Sequence, residues 1–363
     1  MTDGADTIDV AMLGTCPVPR SNYDHVLLGH GSGGGLTADL IHRVFVPGFG
    51  NPVLAALEDQ ATVRLGGGRN GSTSQRIAFT TDAFVVRPIF FPGGDIGTLA
   101  VHGTVNDLAV GGATPLFLSA AFILEEGLPI DDLKHIVASM RRACDDAGVA
   151  MVTGDTKVVD RGKGDQVFIT TSGIGVVPDD VSLSIRSARP GDVVLVSGTI
   201  GDHGIAIMSV REGIEFETVL ESDSAPLTDL VRVMLAACPG IRCMRDPTRG
   251  GVSSAVNELA DASRVGVVLD EAAIPLRPEV RGACEMLGLD PLYVANEGKL
   301  IAVVPAADAP RVLAAMRAHP LGRAAAAVGR IVDDHPGMVV MRSLVGGERV
   351  VTLLAGEQLP RIC

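Results

Sequence analysis

A single break, Arg186-Ser187-Ala188-Arg189-Pro190-Gly191-Asp192, limits the folds open to this chain more than any other feature. On either side of it, short apolar runs of strand length alternate with helix-length patterns, which indicates two α/β or α+β halves. Before the break, strands are expected over 75–86, 116–124 and 167–171, with Ala150-Met151-Val152 delivering a turn at Gly154-Asp155-Thr156-Lys157. One helix should follow Phe91-Pro92-Gly93-Gly94-Asp95 and stop at Gly111-Gly112. A second places Leu133, Ile136, Val137, Met140 and Cys144 at helical spacing, with Asp131 as its cap and Gly148 as its end. After the break, Val193-Val194-Leu195-Val196 restarts the pattern, a helix through Val252, Val256 and Leu259 follows Asp246-Pro247-Thr248-Arg249-Gly250-Gly251, and strands are expected over 265–269 and 300–304. The expected organisation is an extension over 1–24 with no core of its own, domains over 25–187 and 188–335, and a C-terminal segment and tail over 336–363.

Composition supports two real cores. Hydrophobic residues are 47% of the 363 and charged residues only 20%, which excludes wholesale disorder. Aromatics are 3% with no Trp, so Val, Leu, Ile and Ala must fill the interior. The formal charge of -13 repels a phosphate backbone, so nucleic acid is not expected as a partner, whereas a nucleotide held through backbone amides and magnesium is compatible. The longest apolar runs, such as 193–196 and 300–305, fall far short of the ~20 residues that span a membrane. The acidic start, Met1-Thr2-Asp3-Gly4-Ala5-Asp6, is unlike a signal peptide, and a cytoplasmic location is expected. Six cysteines without a CxxC pair argue against a zinc ribbon and should be thiols in a reducing compartment.

Several groups of residues carry candidate chemistry. Gly29-His30-Gly31-Ser32-Gly33-Gly34 can surround an anion with backbone N–H groups ahead of a helix, although the same composition suits a plain surface loop. Asp82, Asp107 and Asp246 sit at the ends of expected elements, where acids either cap or bind a cation. Lys157 is either a surface lysine or a cation for a phosphate or oxyanion, and Glu297 is either a loop acid or a base. No histidine pair has metal-ligand spacing, Cys144, Cys238, Cys243 and Cys284 read as packing residues, and no GxSxG elbow is present. Cys363 differs, because a thiol on the last residue of a Pro-containing tail has reach and little steric cover, as a carried nucleophile requires.

Taken in order, His30-Gly31-Ser32-Gly33-Gly34, the run 89–97, Gly103-Thr104-Val105-Asn106-Asp107-Leu108-Ala109, Gly154-Asp155-Thr156-Lys157-Val158-Val159, the run 197–204, Arg245-Asp246-Pro247-Thr248-Arg249-Gly250-Gly251, Asn296-Glu297-Gly298-Lys299 and the terminal Pro360-Arg361-Ile362-Cys363 resemble the HypE family of hydrogenase maturation factors. The resemblance runs over about 25–363 and leaves the extension, with Cys16, unassigned. It implies the two-domain fold of aminoimidazole ribonucleotide synthetase and selenophosphate synthetase: an N-terminal domain that forms a β-rich homodimer interface with ATP nearby, a C-terminal α/β domain and a flexible tail. It also implies an enzyme that accepts a carbamoyl group on the terminal thiol from the carbamoyltransferase HypF. ATP then drives dehydration to a thiocyanate, and the cyano group passes to iron on a HypC–HypD complex. On that resemblance Asp82, Asp107 and Asp246 take the Mg2+ and nucleotide positions, with Gly31, Gly33, Gly34, Asn106 and Asp155 also at the nucleotide. Cys363, Lys157 and Glu297 are then the catalytic candidates. A selenophosphate synthetase or thiamine monophosphate kinase-like enzyme has no need of a terminal Cys, and a non-enzymatic carrier presenting Cys363 has no need of Asp107 or Lys157.

Overall fold

The structure, a computed structural model, describes residues 24–66, 74–214, 219–354 and 362–363. In chain order its strands are β1 (Ala61–Leu65), β2 (Gln75–Phe84), β3 (Phe90–Phe91), β4 (Gly94–Asp95), β5 (Thr114–Glu125), β6 (Ala150–Val159), β7 (Val167–Val176), β8 (Val193–Val196), β9 (Cys243–Arg245), β10 (Gly266–Asp270), β11 (Ile301–Val304), β12 (Ala326–Val332), β13 (Val339–Arg342) and β14 (Glu348–Val351). Its helices are α1 (Gly35–Leu40), α2 (Val46–Phe49), α3 (Ile96–Val110), α4 (Ile130–Ala147), α5 (Asp202–Glu212), α6 (Thr228–Ala237), α7 (Gly251–Ser263), α8 (Pro278–Leu287) and α9 (Ala309–Ala318). They build a five-stranded sheet in the order β1-β2-β7-β5-β6 and a seven-stranded sheet in the order β14-β13-β10-β12-β8-β11-β9. All pairings are antiparallel except β5 with β6 and β10 with β13, so of the two expected classes α+β describes the sheets better. The stretch 339–351 supplies two strands to the second sheet.

Helix α3 is the hinge of the architecture. Asp95 caps it, its Oδ1 accepting from the N–H of Gly97 at 2.7 Å and of Thr98 at 3.0 Å, while Thr98 Oγ1 accepts from the Asp95 N–H. Such a reciprocal cap is worth about 1 kcal/mol. Its residues are buried almost all round, because the five-stranded sheet and α4 enclose one side and Ala109 and Val110 join a core with Leu195, Leu230 and Leu300 on the other. Helix α4 ends at Gly148 as expected, in the left-handed conformation at φ +68°. Its start differs: Pro129 occupies the cap position and Asp131 lies inside the first turn, where it favours the helix dipole without a cap hydrogen bond. Val137 is half-exposed, because the buried face is set by Ile136, Ser139, Met140, Ala143 and Cys144.

The segment 150–159 also departs from expectation. Gly154-Asp155-Thr156-Lys157 is no turn but the middle of β6, parallel to β5 with Gly154 opposite Ala120 and Lys157 opposite Ile123. Gly154 is needed there because a Cβ would stand 2.5 Å from the Ala120 carbonyl oxygen. As the sheet edge, β6 is exposed along nearly its whole length. The sheet face opposite α3 carries Phe79, Ile174 and Phe117 in one register across β2, β7 and β5, exposed by 46%, 41% and 47%. An apolar row of this kind is unusual on a water-facing sheet. No helix among the described residues is long and apolar enough to cross a membrane.

Candidate active site

Acidic side chains gather where the two halves meet. Asp82 comes from β2, Asp107 from the last turns of α3, Asp246 from the residue after β9, and Asp59 from the residues leading into β1. Thr80 Oγ1 lies 2.7 Å from Asp107 Oδ2 and 3.1 Å from the Asp59 carbonyl oxygen. Burial pushes Asp82 above the usual carboxylate range, with the Arg249 guanidinium and the neighbouring Asp107 carboxyl opposing the rise. Burial first, then Asp82, Asp246 and Asp59, pushes Asp107 well above the usual carboxylate range. Burial followed by repulsion from Asp59 and Asp82 does the same to Asp246. Asp59 is pushed up to about 6 by burial, against the opposing charge of Arg245, which reaches both Asp59 Oδ1 and Glu258 Oε2 at 2.8 Å.

Among the described residues no three His, Cys, Asp or Glu side chains stand close enough to hold an ion by themselves. Magnesium on a nucleotide asks for less: one or two carboxylates, completed by phosphate oxygens and water. Hard oxygen donors that are buried, mutually repelling and partly protonated are the donor set such a cation relieves, so Asp82, Asp107 and Asp246 fit it.

The C-terminal residue lies in the same place. Instead of the exposed, mobile thiol expected, Cys363 is 9% and Ile362 4% exposed, both within the core formed by Val86, Ile89, Phe91 and Leu99. Ile362 bridges Val86, and the Val85 N–H donates to the Cys363 carbonyl oxygen at 3.2 Å. These backbone bonds and the surrounding core hold a tip that sequence position alone leaves free. Leu359, Pro360 and Arg361 lie outside the described residues. Glu297 and Arg249 act on the Cys363 thiol from nearby: burial pushes its pKa up and the Glu297 charge adds to the rise, while the Arg249 guanidinium opposes it. Glu297 is 2% exposed, and its Oε1 has no hydrogen-bond partner among the described residues. Burial, then the negative charge of Asp246, Asp223 and Asp82, raises it well above the carboxylate range.

The remaining candidates divide. Gly33, at φ +74°, packs against the Arg249 backbone, where a Cβ would stand 2.5 Å from its carbonyl oxygen, and Gly34 is crowded by Leu354. Gly31 has open space around it. The glycine-rich loop thus lies over the turn that starts α7, with Ser254 Oγ donating to the Gly33 carbonyl at 2.8 Å. Asn106 is committed to the protein: its Nδ2 donates to the Ala225 and Glu297 carbonyls at 3.0 Å each, and its Oδ1 accepts from the Leu227 N–H. It fixes the backbone of Glu297. Asp155 and Lys157 are not brought in. They lie 3.8 Å apart on the exposed edge, on the outer sheet face, three strands from Asp82 and hence ~14 Å away by strand spacing. Arg249, Asp59, Thr80 and His203 were missed as site residues. Arg249 stood within a quoted motif, but its nearness to Cys363, Asp82 and Glu297 is long-range and leaves no mark on local sequence.

Residues 57–177 match the family described as AIR synthase related protein, N-terminal domain, and residues 189–341 match its C-terminal domain. Carbamoyl dehydratase HypE of Cupriavidus necator is 58% identical over 336 residues, covering 93% of this chain and 94% of that protein. The solved HypE–HypF complex contains a chain similar with a TM-score of 0.80 and 47% identity, over 87% of this chain and 99% of that one. HypE solved in complex with ATP has a TM-score of 0.77 and 48% identity, over 93% and 100%. With a buried C-terminal cysteine at the meeting point of two AIR synthase related domains, the chain belongs to the carbamoyl dehydratase HypE family.

Proposed function

We propose that this enzyme uses ATP to dehydrate an S-carbamoyl group on Cys363 to a thiocyanate, for the cyanide ligands of a [NiFe]-hydrogenase. The observation that carries the reading is the burial of Cys363 in the core of the first half, near enough to Glu297, Arg249 and Asp82 for their charges to act on its thiol. A carboxamide oxygen leaves poorly until it is phosphorylated. The balance is then the transfer of the γ-phosphoryl group to that oxygen, loss of the amide protons, and departure of the oxygen with phosphate as the C≡N bond forms.

Glu297 would accept an amide proton, and its raised pKa makes its carboxylate a strong base once ionised. Arg249 supplies positive charge where the thiocarbamate oxygen becomes an anionic leaving group. Asp82, Asp107 and Asp246 would hold magnesium, which when bound neutralises phosphate charge. The glycine-rich loop around Gly31 would cover the nucleotide.

Lys157 and Asp155 can contribute only if the outer sheet face meets a second copy, and the row Phe79, Ile174 and Phe117 supports such a homodimer. HypF would load Cys363, and a HypC–HypD complex would receive the cyano group. Replacing Glu297 by Gln tests the assignment. The Glu297→Gln protein should still bind ATP and become carbamoylated, yet accumulate the S-carbamoyl form with dehydration slowed by about 10²–10⁴-fold. Dehydration at the wild-type rate would remove Glu297 from the mechanism.

A further inference from the structure

We propose that His203, set by Ser222, is the positioning residue that latches the C-terminal tip into the site. The inference rests on Cys363 being the acceptor. His203 is the second residue of α5 and is fully buried, with its ring edge-on to Phe91 at 5.7 Å. Its Nε2 is 2.6 Å from the Ile362 carbonyl oxygen, and its Nδ1 is 2.8 Å from Ser222 Oγ.

The hydrogen positions follow from what each partner can do. A carbonyl oxygen only accepts, so Nε2 carries the proton. The Ser224 N–H already donates to Ser222 Oγ at 3.2 Å, which leaves the Ser222 hydroxyl hydrogen for Nδ1. Burial keeps the imidazole neutral, with the nearby Asp223 charge opposing. The three hydrogen bonds of the chain Ser224–Ser222–His203–Ile362 then all run in one direction. That direction holds the peptide unit immediately before Cys363.

The backbone partners of the tip among the described residues, Val85 and Val86, come from the first half of the chain. His203 therefore completes a clamp across both halves. When the tip leaves, His203 Nε2–H and the Ile362 carbonyl separate inside a pocket with no described substitute, so the bond biases the tip toward the inward position. The loss of one such bond shifts a balance by about two- to tenfold.

The test is the rate at which iodoacetamide modifies Cys363 in the nucleotide-free protein, read by mass spectrometry of the C-terminal peptide, with Cys144 of the same core as internal control. Neither ATP nor a transferase is present, so the outcome is independent of whether the dehydration scheme holds. His203→Ala should raise the Cys363 rate by about two- to tenfold and leave Cys144 unchanged. His203→Gln, whose Nε2 can donate from nearly the same point, should give a rate closer to wild type than to His203→Ala. Ser222→Ala should raise the rate in the same direction, and it decides the matter alone if His203→Ala does not fold. The latch is overturned by an unchanged Cys363 rate, by a Gln variant that behaves like Ala, or by Cys144 rising in parallel.

Discussion

Replacing Asp59 by Asn probes the electrostatic strain in the acidic cluster. In the folded protein Asp59 titrates at about 6 against an ordinary 3.8, so folding takes up a proton in that window. The contribution to stability is full below the unfolded value and is lost as pH rises through the folded one. The shift corresponds to about 3 kcal/mol in all. Roughly a quarter of it falls between pH 7 and pH 5.5, a window kept above the sequence pI of 5.0 to avoid precipitation.

His102, pushed down to about 4 by burial, and His203, lowered by the same cause, act in the opposite sense in that window. Both are present in wild type and variant, so their effect cancels in the difference. Asp59→Asn also removes one of the charges that raise Asp107 and Asp246, which adds to the difference with the same sign. Arg245 keeps Glu258 as a partner. With no Trp in the chain, urea unfolding is best followed by far-ultraviolet circular dichroism. Going from pH 7 to pH 5.5, the nucleotide-free wild type should gain about 1 kcal/mol relative to Asp59→Asn. Parallel pH dependences, or a larger gain by the variant, would refute the picture of carboxylates kept protonated until a cation arrives.

Two further outcomes follow from the packing. Phe117→Asp should leave the described fold intact but convert a dimer to a monomer in sedimentation velocity, with dehydration lost if Lys157 acts from the second copy; an unchanged dimer would place the interface elsewhere. Gly33→Ala should cost about 1–3 kcal/mol, because φ +74° is strained for a side chain and the Arg249 carbonyl oxygen stands in the way. An unaltered unfolding midpoint would show that the loop can shift off α7.

The sequence carried the local part of this structure well. The start of α3 after Asp95, the Gly111 and Gly148 stops and the restart at Val193 are signals within a few residues, and these boundaries lie where the pattern placed them. The β6 edge was misread because a glycine inside a strand looks the same as a glycine in a turn; only the approach of Ala120 distinguishes them. Asp82, Asp107 and Asp246 were legible singly, but their mutual repulsion is a property of three elements brought together from far apart. The tail was misjudged for a similar reason. Its anchors, Val85, Val86 and His203, lie more than a hundred residues away in sequence.

The central claim is chemistry on the terminal thiol, and mass spectrometry of the C-terminal peptide tests it most directly. After incubation with the transferase and its carbamoyl donor, Cys363 should carry a carbamoyl group. On addition of ATP and magnesium the adduct should lose the mass of one water, and the Cys363→Ala protein should show neither change. A carbamoyl adduct that persists unaltered with ATP present, or one found on another residue, would contradict the account.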